Sequence, residues 1–375
     1  MPKRIGIVGG GQLGRMLAIA AKKLGCYVVV LDPTPRSPAG QVADRQIVGD
    51  FTDAENIREV ASLVDVVTFE IESANAEALE MLAEAGHDIN PSPHTLALIQ
   101  DKYLQKRFLT ERGIPVAPSF EITGPADVSA AARAFGYPLL LKARLGAYDG
   151  RGNAVVGRAT EITAALGKLA GRSLYTERFV PFTKELAVIT VRATNGSVLV
   201  YPVVETIHEN NICHMVLSPA PVEAAVARKA EALAADIMTH LAGVGAFGIE
   251  LFVTAEGEVM VNEIAPRVHN SGHLSIEGHK TSQFEQHIRA ITGMPLGSIE
   301  RTAPCSVMIN ILGERNAPSD VRGLEEAESI PGVSVHIYGK RETRPERKMG
   351  HITAVGATLS EARERAERAR TQITI

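Results

Sequence analysis

The stretch GIVGGGQLGRM, Gly6–Met16, poses the first question about this chain. Gly9, Gly11 and Gly14 fit G-x-G-x-x-G directly after an apolar run, and Asp32 closes the next apolar run, YVVVLD. Such glycines open a tight turn and bring a helix N-terminus to an anion, while an acid ending the second strand takes a ribose hydroxyl. Read alone, the loop indicates a dinucleotide. Working outward, RIGIVGG reads as a strand, QLGRMLAIAAKKLG as a helix with Gly25 at its end, and CYVVVLD as a second strand. That β-α-β unit implies parallel strands and a right-handed crossover.

The 375 residues carry a net charge of −4, with 45% apolar and 22% charged residues, enough for two or three domains with their own cores. A mildly acidic chain has no global attraction for nucleic acid or an anionic membrane. No apolar run approaches the ~20 residues of a spanning helix, and no signal peptide precedes the first strand. Cys26, Cys213 and Cys305 are odd in number, far apart and outside any C-x-x-C pair. This argues against a disulfide framework or zinc site and for a reducing cytoplasm.

Further along, NIREVASLV reads as a helix and DVVTFEIE as a strand; DINPSPHT marks a boundary near residue 92. HTLALIQDKYLQKRFLTERG reads as one helix ending at Gly113. A smaller α/β region follows, with strands PLLLKA, NAVVG and SLYTERFV around the loop LGAYDGRGN and the helix TEITAALGKLA. ELAVITVRA and VLVYPVVETIH alternate as antiparallel strands do. EAAVARKAEALAADIMTHLA is an amphipathic helix, and AFGIELFVT and VMVNEIAPR form a hairpin about AEGE. Short strands (CSVMINILG, VSVHIYG, ITAVGA) and the helix SEARERAERARTQI finish the chain. The expected organisation is α/β in three domains: 1–92, Rossmann-like; 93–296, with a lid at about 115–180; and 297–375.

Glu250 in GIELF and Glu263 in VNEIAPR lie within apolar strands. Buried carboxylates must neutralise, pair or bind a cation. On facing strands they could offer two hard oxygen ligands to Mg²⁺, the rest being waters and phosphates; ordinary ion pairs with Arg or Lys are the alternative. Lys142, ending PLLLKA, and Lys102, in QDKYLQK, are candidate phosphate cations or surface lysines. The loop LGAYDGRGN could cradle phosphate with its amides, or be a hairpin turn; GK[ST] is absent, so it is no P-loop. In PRVHNSGH, Arg267 can grip a planar anion through two parallel hydrogen bonds, with His269 and Asn270 beside it. In KRETRPERKMGH, Lys340, Arg344, Arg347 and Lys348 could take a phosphate monoester or form a solvated face.

Together these motifs resemble the ATP-grasp superfamily: two lysines about forty residues apart, a glycine loop, an acidic strand and a final E…NE pair. GGGQLGRM, TFEIE (68–72), AYDGRGN, and NEIAPRVHNSGH with YGKRETRPERKMGH are similar to the 5-(carboxyamino)imidazole ribonucleotide synthetase family. The resemblance covers nearly the whole chain in order. It implies an ATP-grasp fold with an N-terminal Rossmann-like (pre-ATP-grasp) domain and a small C-terminal α/β domain. It also implies ATP and Mg²⁺, with bicarbonate and aminoimidazole ribonucleotide as substrates.

By that resemblance, Lys102, Lys142, Glu177, Phe179, Val180, Glu185, His208 and Asn262 bind ATP, with adenine on the first part of YTERFVPFTKE and ribose on Glu185. Glu250 and Glu263 hold Mg²⁺. Arg267, His269 and Asn270 hold bicarbonate in line with the γ-phosphate, and Asp149 is a candidate proton acceptor. Gly11, Gln12, Leu13, Glu70, Tyr148, Asp149, Arg151, Lys340 and Arg347 contact the aminoimidazole nucleotide, the last two at its 5′-phosphate. Asp32 then has no ribose to bind. A homodimer is expected, as is a hand-off to the mutase of the next step. Ala147 and Asn153 replace the family's usual Gly and Gln, and Thr206 stands where Asn is common. Three other readings compete. They are another ATP-grasp ligase (a formate-dependent glycinamide ribonucleotide transformylase or a biotin carboxylase), a dinucleotide-dependent oxidoreductase, and a non-catalytic nucleotide-binding relative. The oxidoreductase reading leaves Lys142, Glu250, Glu263 and the C-terminal basic run without a role.

Overall fold

The computed structural model describes residues 3–146 and 152–375. Its N-terminal sheet has four parallel strands in the order Arg45–Val48, Tyr27–Asp32, Arg4–Val8, Val66–Phe69. The central pair is almost wholly buried, as the unbroken apolar runs require. The helix Gln12–Lys23 begins where expected, and Gly25 beyond it has φ +78°. In this N-terminal unit the sequence reading lacks two elements, the edge strand Arg45–Val48 and the helix Ala76–Glu84; further on it lacks the strands Ser119–Ile122 and Ile212–Ser218 and the helices Pro125–Phe135 and Gln283–Thr292.

The glycine turn is spoken for by the protein itself. The Gly10 N–H donates to Asp32 Oδ2 (2.9 Å), and the Gly11 N–H donates to Glu70 Oε1 (2.7 Å). Gly9 has φ +98°, and a Cβ there would lie 2.9 Å from Glu70 Oε1, so glycine is required twice over. Two amides that would face a pyrophosphate in a dinucleotide fold therefore meet carboxylates instead.

The expected single helix around residue 100 is two, Pro93–Gln100 and Lys102–Glu111. Asp101 breaks it: its backbone is extended, and its carboxylate accepts the N–H groups of Tyr103 and Leu104. The same carboxylate takes two bonds from Arg144 Nε and a third from Nη2. The start of the Lys102 helix is thereby tied to the strand Leu139–Ala143. That strand belongs to a four-stranded antiparallel sheet, ordered Ser119–Ile122, Leu174–Arg178, Leu139–Ala143, Asn153–Val156, over its own small core.

The largest sheet is antiparallel throughout. Its path runs Val259–Ala265, Gly245–Thr254, Phe182–Arg192, Val204–Glu209, Ile212–Ser218, Cys305–Leu312, Lys348–Gly356, Val333–Ile337, with Val198–Val200 beside Phe182–Arg192. The expected strand VLVYPVVETIH is divided around Pro202. Strands on either side of residue 297 share this one sheet, through pairing of Ile212–Ser218 with Cys305–Leu312. The helix Ala224–Leu241 buries Ala230, Ala234, Ile237, Met238 and Leu241, a single helical face.

The N-terminal unit is pinned to this sheet by His287. Its Nδ1 accepts the Ala246 N–H (3.0 Å), which leaves the ring proton on Nε2 to donate to Thr68 Oγ1 (2.8 Å). Among the described residues, no helix is long and apolar enough to cross a membrane.

Candidate active site

The hairpin Gly245–Thr254/Val259–Ala265 sets Glu250 directly opposite Glu263, and a register shift follows Glu250. Burial pushes the Glu250 carboxyl up and the adjacent Glu263 charge pushes it further. Burial would raise Glu263 too, but Lys102 and Lys142 outweigh it and hold that carboxyl well below its usual range. Lys102 Nζ lies 3.2 Å from Glu263 Oε2. Asn262 Nδ2 reaches Glu250 Oε2 at 3.4 Å, and His269 Nε2 reaches Glu250 Oε1 at 3.4 Å.

Two adjoining acids, one of them costly to ionise, make a donor set suited to a hard dication. Among the described residues no group of three or more His, Cys, Asp or Glu could enclose a metal. Mg²⁺ takes one or two carboxylates and fills its remaining positions with water and phosphate, so the facing pair Glu250–Glu263 is a donor set of the size it needs.

The lysines sit on converging elements. Lys142 Nζ is 3.4 Å from Glu177 Oε2, and Lys106 Nζ is 3.3 Å from Glu177 Oε1. Lys106 also donates to the Asn262 carbonyl (2.7 Å). In the sequence a lysine one turn after Lys102 reads as helix surface; in the fold Lys106 is 2% exposed. Phe179 is exposed and Val180 buried just beyond Glu177. Glu185 Oε1 lies 3.4 Å from His208 Nδ1. Burial lowers His208, but Glu185 and Glu250 bring its net shift upward. Thr206 is buried opposite Glu185 in the ladder, and Asn153 lies opposite Lys142.

Arg267 donates from Nη2 to Glu72 Oε1 (2.8 Å) and from Nη1 to the Val268 carbonyl (3.1 Å). Burial, then Arg267 and Lys348, push the His269 imidazole down to about 3, so it is neutral, with Nδ1 2.9 Å from Ser271 Oγ. Asn270 forms a reciprocal amide pair with Asn310 (3.0 and 2.7 Å), which leaves one amide hydrogen and spare lone pairs for a ligand.

The third group gathers at the glycine turn. Glu70 is buried, and its carboxyl is raised by desolvation against the Gly11 hydrogen bond and the Arg267 charge. The Lys340 ammonium feels Glu70, Arg347 and Lys348, and donates to the Lys348 carbonyl (2.6 Å). Gln41 Nε2 donates to the Gly339 carbonyl (2.8 Å), joining the N-terminal unit to the Lys340 segment. Arg347 Nη1 donates to the Glu342 carbonyl, and Arg344 is solvated beside Glu342. Gln12 is half-buried, whereas the Leu13 side chain packs into the core, so only Leu13 backbone could border a ligand. Tyr148, Asp149 and Arg151, with Ala147, lie outside the described residues.

One set of contacts therefore joins the paired acids, their lysines, and the Arg267–His269 segment, with the Glu70–Lys340 group alongside. Along the chain, the family description "Ribonucleotide synthetase preATP-grasp domain" matches residues 1–100 and "ATP-grasp domain" matches 107–284. "Phosphoribosylaminoimidazole carboxylase C-terminal domain" matches 306–365. The N5-carboxyaminoimidazole ribonucleotide synthetase of Thermotoga maritima superposes with a TM-score of 0.90 at 46% identity, covering 99% of each chain. The chain belongs to the N5-carboxyaminoimidazole ribonucleotide synthase family.

Within that family, the Aspergillus clavatus synthase in complex with ADP and 5-aminoimidazole ribonucleotide superposes with a TM-score of 0.91. It is 40% identical, over 98% of this chain and 97% of that one. The phosphoribosylaminoimidazole carboxylase of Ogataea methanolica is 44% identical over 369 residues, 96% of this chain but 68% of its own length. The chain spans about two thirds of the length of the curated carboxylases it matches, 64–66% for five others. The resemblance to a synthase with its own ATP-grasp fold thus holds end to end, and the dinucleotide reading falls.

Proposed function

We propose that this chain joins ATP, bicarbonate and 5-aminoimidazole ribonucleotide to give the N5-carboxylated ribonucleotide, ADP and phosphate. The observation that carries the reading is the Glu250–Glu263 pair, bonded on one side to Lys102 and contacted on the other by neutral His269 beside Arg267. Bicarbonate is a poor electrophile. One of its oxygens attacks the γ-phosphorus, the bond to the β-phosphate oxygen breaks, and carboxyphosphate and ADP result. The amine nitrogen of the ribonucleotide then bonds to the carboxyl carbon, directly or through CO₂. The carbon–oxygen bond to phosphate breaks, and the amine proton leaves with the phosphate or with a base.

Glu250 and Glu263 would hold Mg²⁺, which supplies charge neutralisation along the β- and γ-phosphates when bound. Lys102 and Lys142 add fixed positive charge to the transferring group and its neighbour. Arg267, His269 and Asn270 orient bicarbonate, where alignment rather than covalent chemistry sets the rate. Glu177, Phe179 and Val180 bind adenine, Glu185 the ribose, and His208 and Asn262 complete the nucleotide site. Gly11, Gln12, Leu13 and Glu70 border the ribonucleotide, Lys340 and Arg347 take its 5′-phosphate, and Tyr148, Asp149 and Arg151 contact it. Keeping water from the carboxylated intermediate is the site's main task.

The reading extends to the domain limits at about 92 and 297, to a homodimer, the commonest closed assembly, and to a cytoplasmic enzyme feeding a mutase. The free thiols Cys26 and Cys305 suit a reducing compartment. Phosphate release is the test. Release that requires both bicarbonate and aminoimidazole ribonucleotide is expected; release with glycinamide ribonucleotide and formate instead would replace this reading with another ATP-grasp ligase. Sedimentation of the full chain tests the dimer.

A further inference from the structure

Two acids stand in the segment after the strand Val66–Phe69, and the mechanism above uses only Glu70. The other, Glu72, reaches from the N-terminal unit to Arg267 and Lys102. Its Oε1 accepts from Arg267 Nη2 at 2.8 Å, and its Oε2 lies 3.7 Å from Lys102 Nζ. Lys102 in turn meets Glu263 at 3.2 Å. Four charges thus alternate in sign along Arg267, Glu72, Lys102 and Glu263. The side chains of Arg267, Glu72 and Lys102 are 20%, 25% and 11% exposed, so solvent screens these pairs weakly.

Glu72 is itself anchored. Gln100 Nε2 donates to the Glu72 carbonyl (2.6 Å) and the Ala74 carbonyl (2.8 Å), fixing the backbone that carries the carboxylate. An arginine stem has several rotatable bonds, and ordering it when a ligand arrives weakens binding. The Glu72 bond and the bond to the Val268 carbonyl remove that freedom beforehand.

We propose that Glu72 is a positioning residue for bicarbonate capture: it fixes the Arg267 guanidinium relative to Lys102. The arginine that holds bicarbonate and the lysine that holds the transferring phosphate then keep one spacing. This rests on the reading that Arg267 holds bicarbonate. Because Glu70 and Glu72 share one segment, the same backbone links the ribonucleotide's binding to the aim of Arg267.

The test uses the full chain with Glu72→Gln, Arg267→Lys and the double variant, in initial-rate assays varying each substrate. Glu72→Gln keeps shape and an acceptor oxygen but removes the charge. It should raise the bicarbonate KM by roughly five- to tenfold, with the KM values for ATP and ribonucleotide within about twofold. Phosphate released per carboxylated product should rise above one, because a misaligned intermediate meets water first. In the Arg267→Lys background, Glu72→Gln should add less than about twofold, since both act through one contact. Glu72→Asp keeps the charge but shortens the reach, and should fall between. A bicarbonate KM unchanged in Glu72→Gln, or all three KM values rising together, overturns the proposal. Should Arg267→Lys itself leave the bicarbonate KM unchanged, the bicarbonate reading fails and takes this inference with it. If Arg267→Lys raises that KM and Glu72→Gln does not, only the inference fails.

Discussion

Raising the pH from 7 to 9 should loosen the binding of aminoimidazole ribonucleotide about tenfold, through Lys340 alone. Burial pushes this ammonium down to about 8, and the Arg347 charge adds to it; Glu70 opposes, and Lys348 contributes a smaller push down. The lysine is held at this depth by its bond to the Lys348 carbonyl and by the Tyr338 ring beneath it. With a pKa of about 8, the ammonium is about nine-tenths charged at pH 7 and about one-tenth charged at pH 9. The ligand's phosphate titrates near pH 6 and stays a dianion across this range. If only the charged lysine grips it, the dissociation constant rises about tenfold, ~1.4 kcal/mol. Titration calorimetry with ADP present reads this without turnover. Near pH 8, buffers of different ionisation enthalpy should reveal uptake of about half a proton per ligand. In Lys340→Arg the side chain stays charged, so the constant should be flat and proton uptake absent. A flat profile in the native chain, or the same rise in Lys340→Arg, refutes the assignment of Lys340 to the phosphate.

Three other perturbations are informative. Glu250→Ala and Glu263→Ala should each lower kcat by at least about a hundredfold, ~2.7 kcal/mol, with the fold intact by circular dichroism; unchanged turnover would remove both from the metal site. Lys106→Met leaves Glu177 buried with Lys142 as its remaining cation, and should cost about 3–5 kcal/mol in urea unfolding. An unmoved midpoint would show that the pair contributes nothing. His287, pushed down to about 4 by burial, is neutral in both folded and unfolded chains above its ordinary value of 6.5. As pH falls from 6.5 towards 4 the unfolded chain takes the proton first, so stability drops by up to ~3 kcal/mol. His287→Gln should lose less over that window in urea titrations; an equal loss would place the acid sensitivity elsewhere, among His273 and His351 for example.

The parts of the fold legible in the sequence were those where chemistry and periodicity agree. Glu250 and Glu263 interrupt apolar strands of an expected hairpin, and the fold sets them opposite each other on that hairpin, in contact with Asn262 and Lys102. The glycine turn announced a β-α-β crossover correctly, but its ligand could not be read from it. The amides of Gly10 and Gly11 are satisfied by Asp32 and Glu70, the latter 59 residues further along the chain. Glu72 and Lys106 were not legible for the same reason. Each is an ordinary charged residue in its local pattern, and each acquires its role from partners far along the chain, Arg267 for Glu72 and the Asn262 carbonyl for Lys106. Asp101 was missed as a helix break because both flanking helices share a polar–apolar rhythm. Its capping bonds and the Arg144 clamp decide the matter only in three dimensions.

The shared antiparallel sheet has a consequence for how the molecule can be divided. Ile212–Ser218 is covered on one side by Val204–Glu209 and on the other by Cys305–Leu312. A chain ended before Cys305 would strip that second neighbour from a strand whose Ile212, Met215, Val216 and Leu217 are buried. It would present a bare, apolar edge, the kind that recruits another copy of itself. The nucleotide cleft and the Lys340 segment are therefore not separable modules. Mechanical load or denaturant applied to the C-terminal strands travels straight into the sheet that carries Glu250, and the two should melt as one cooperative unit.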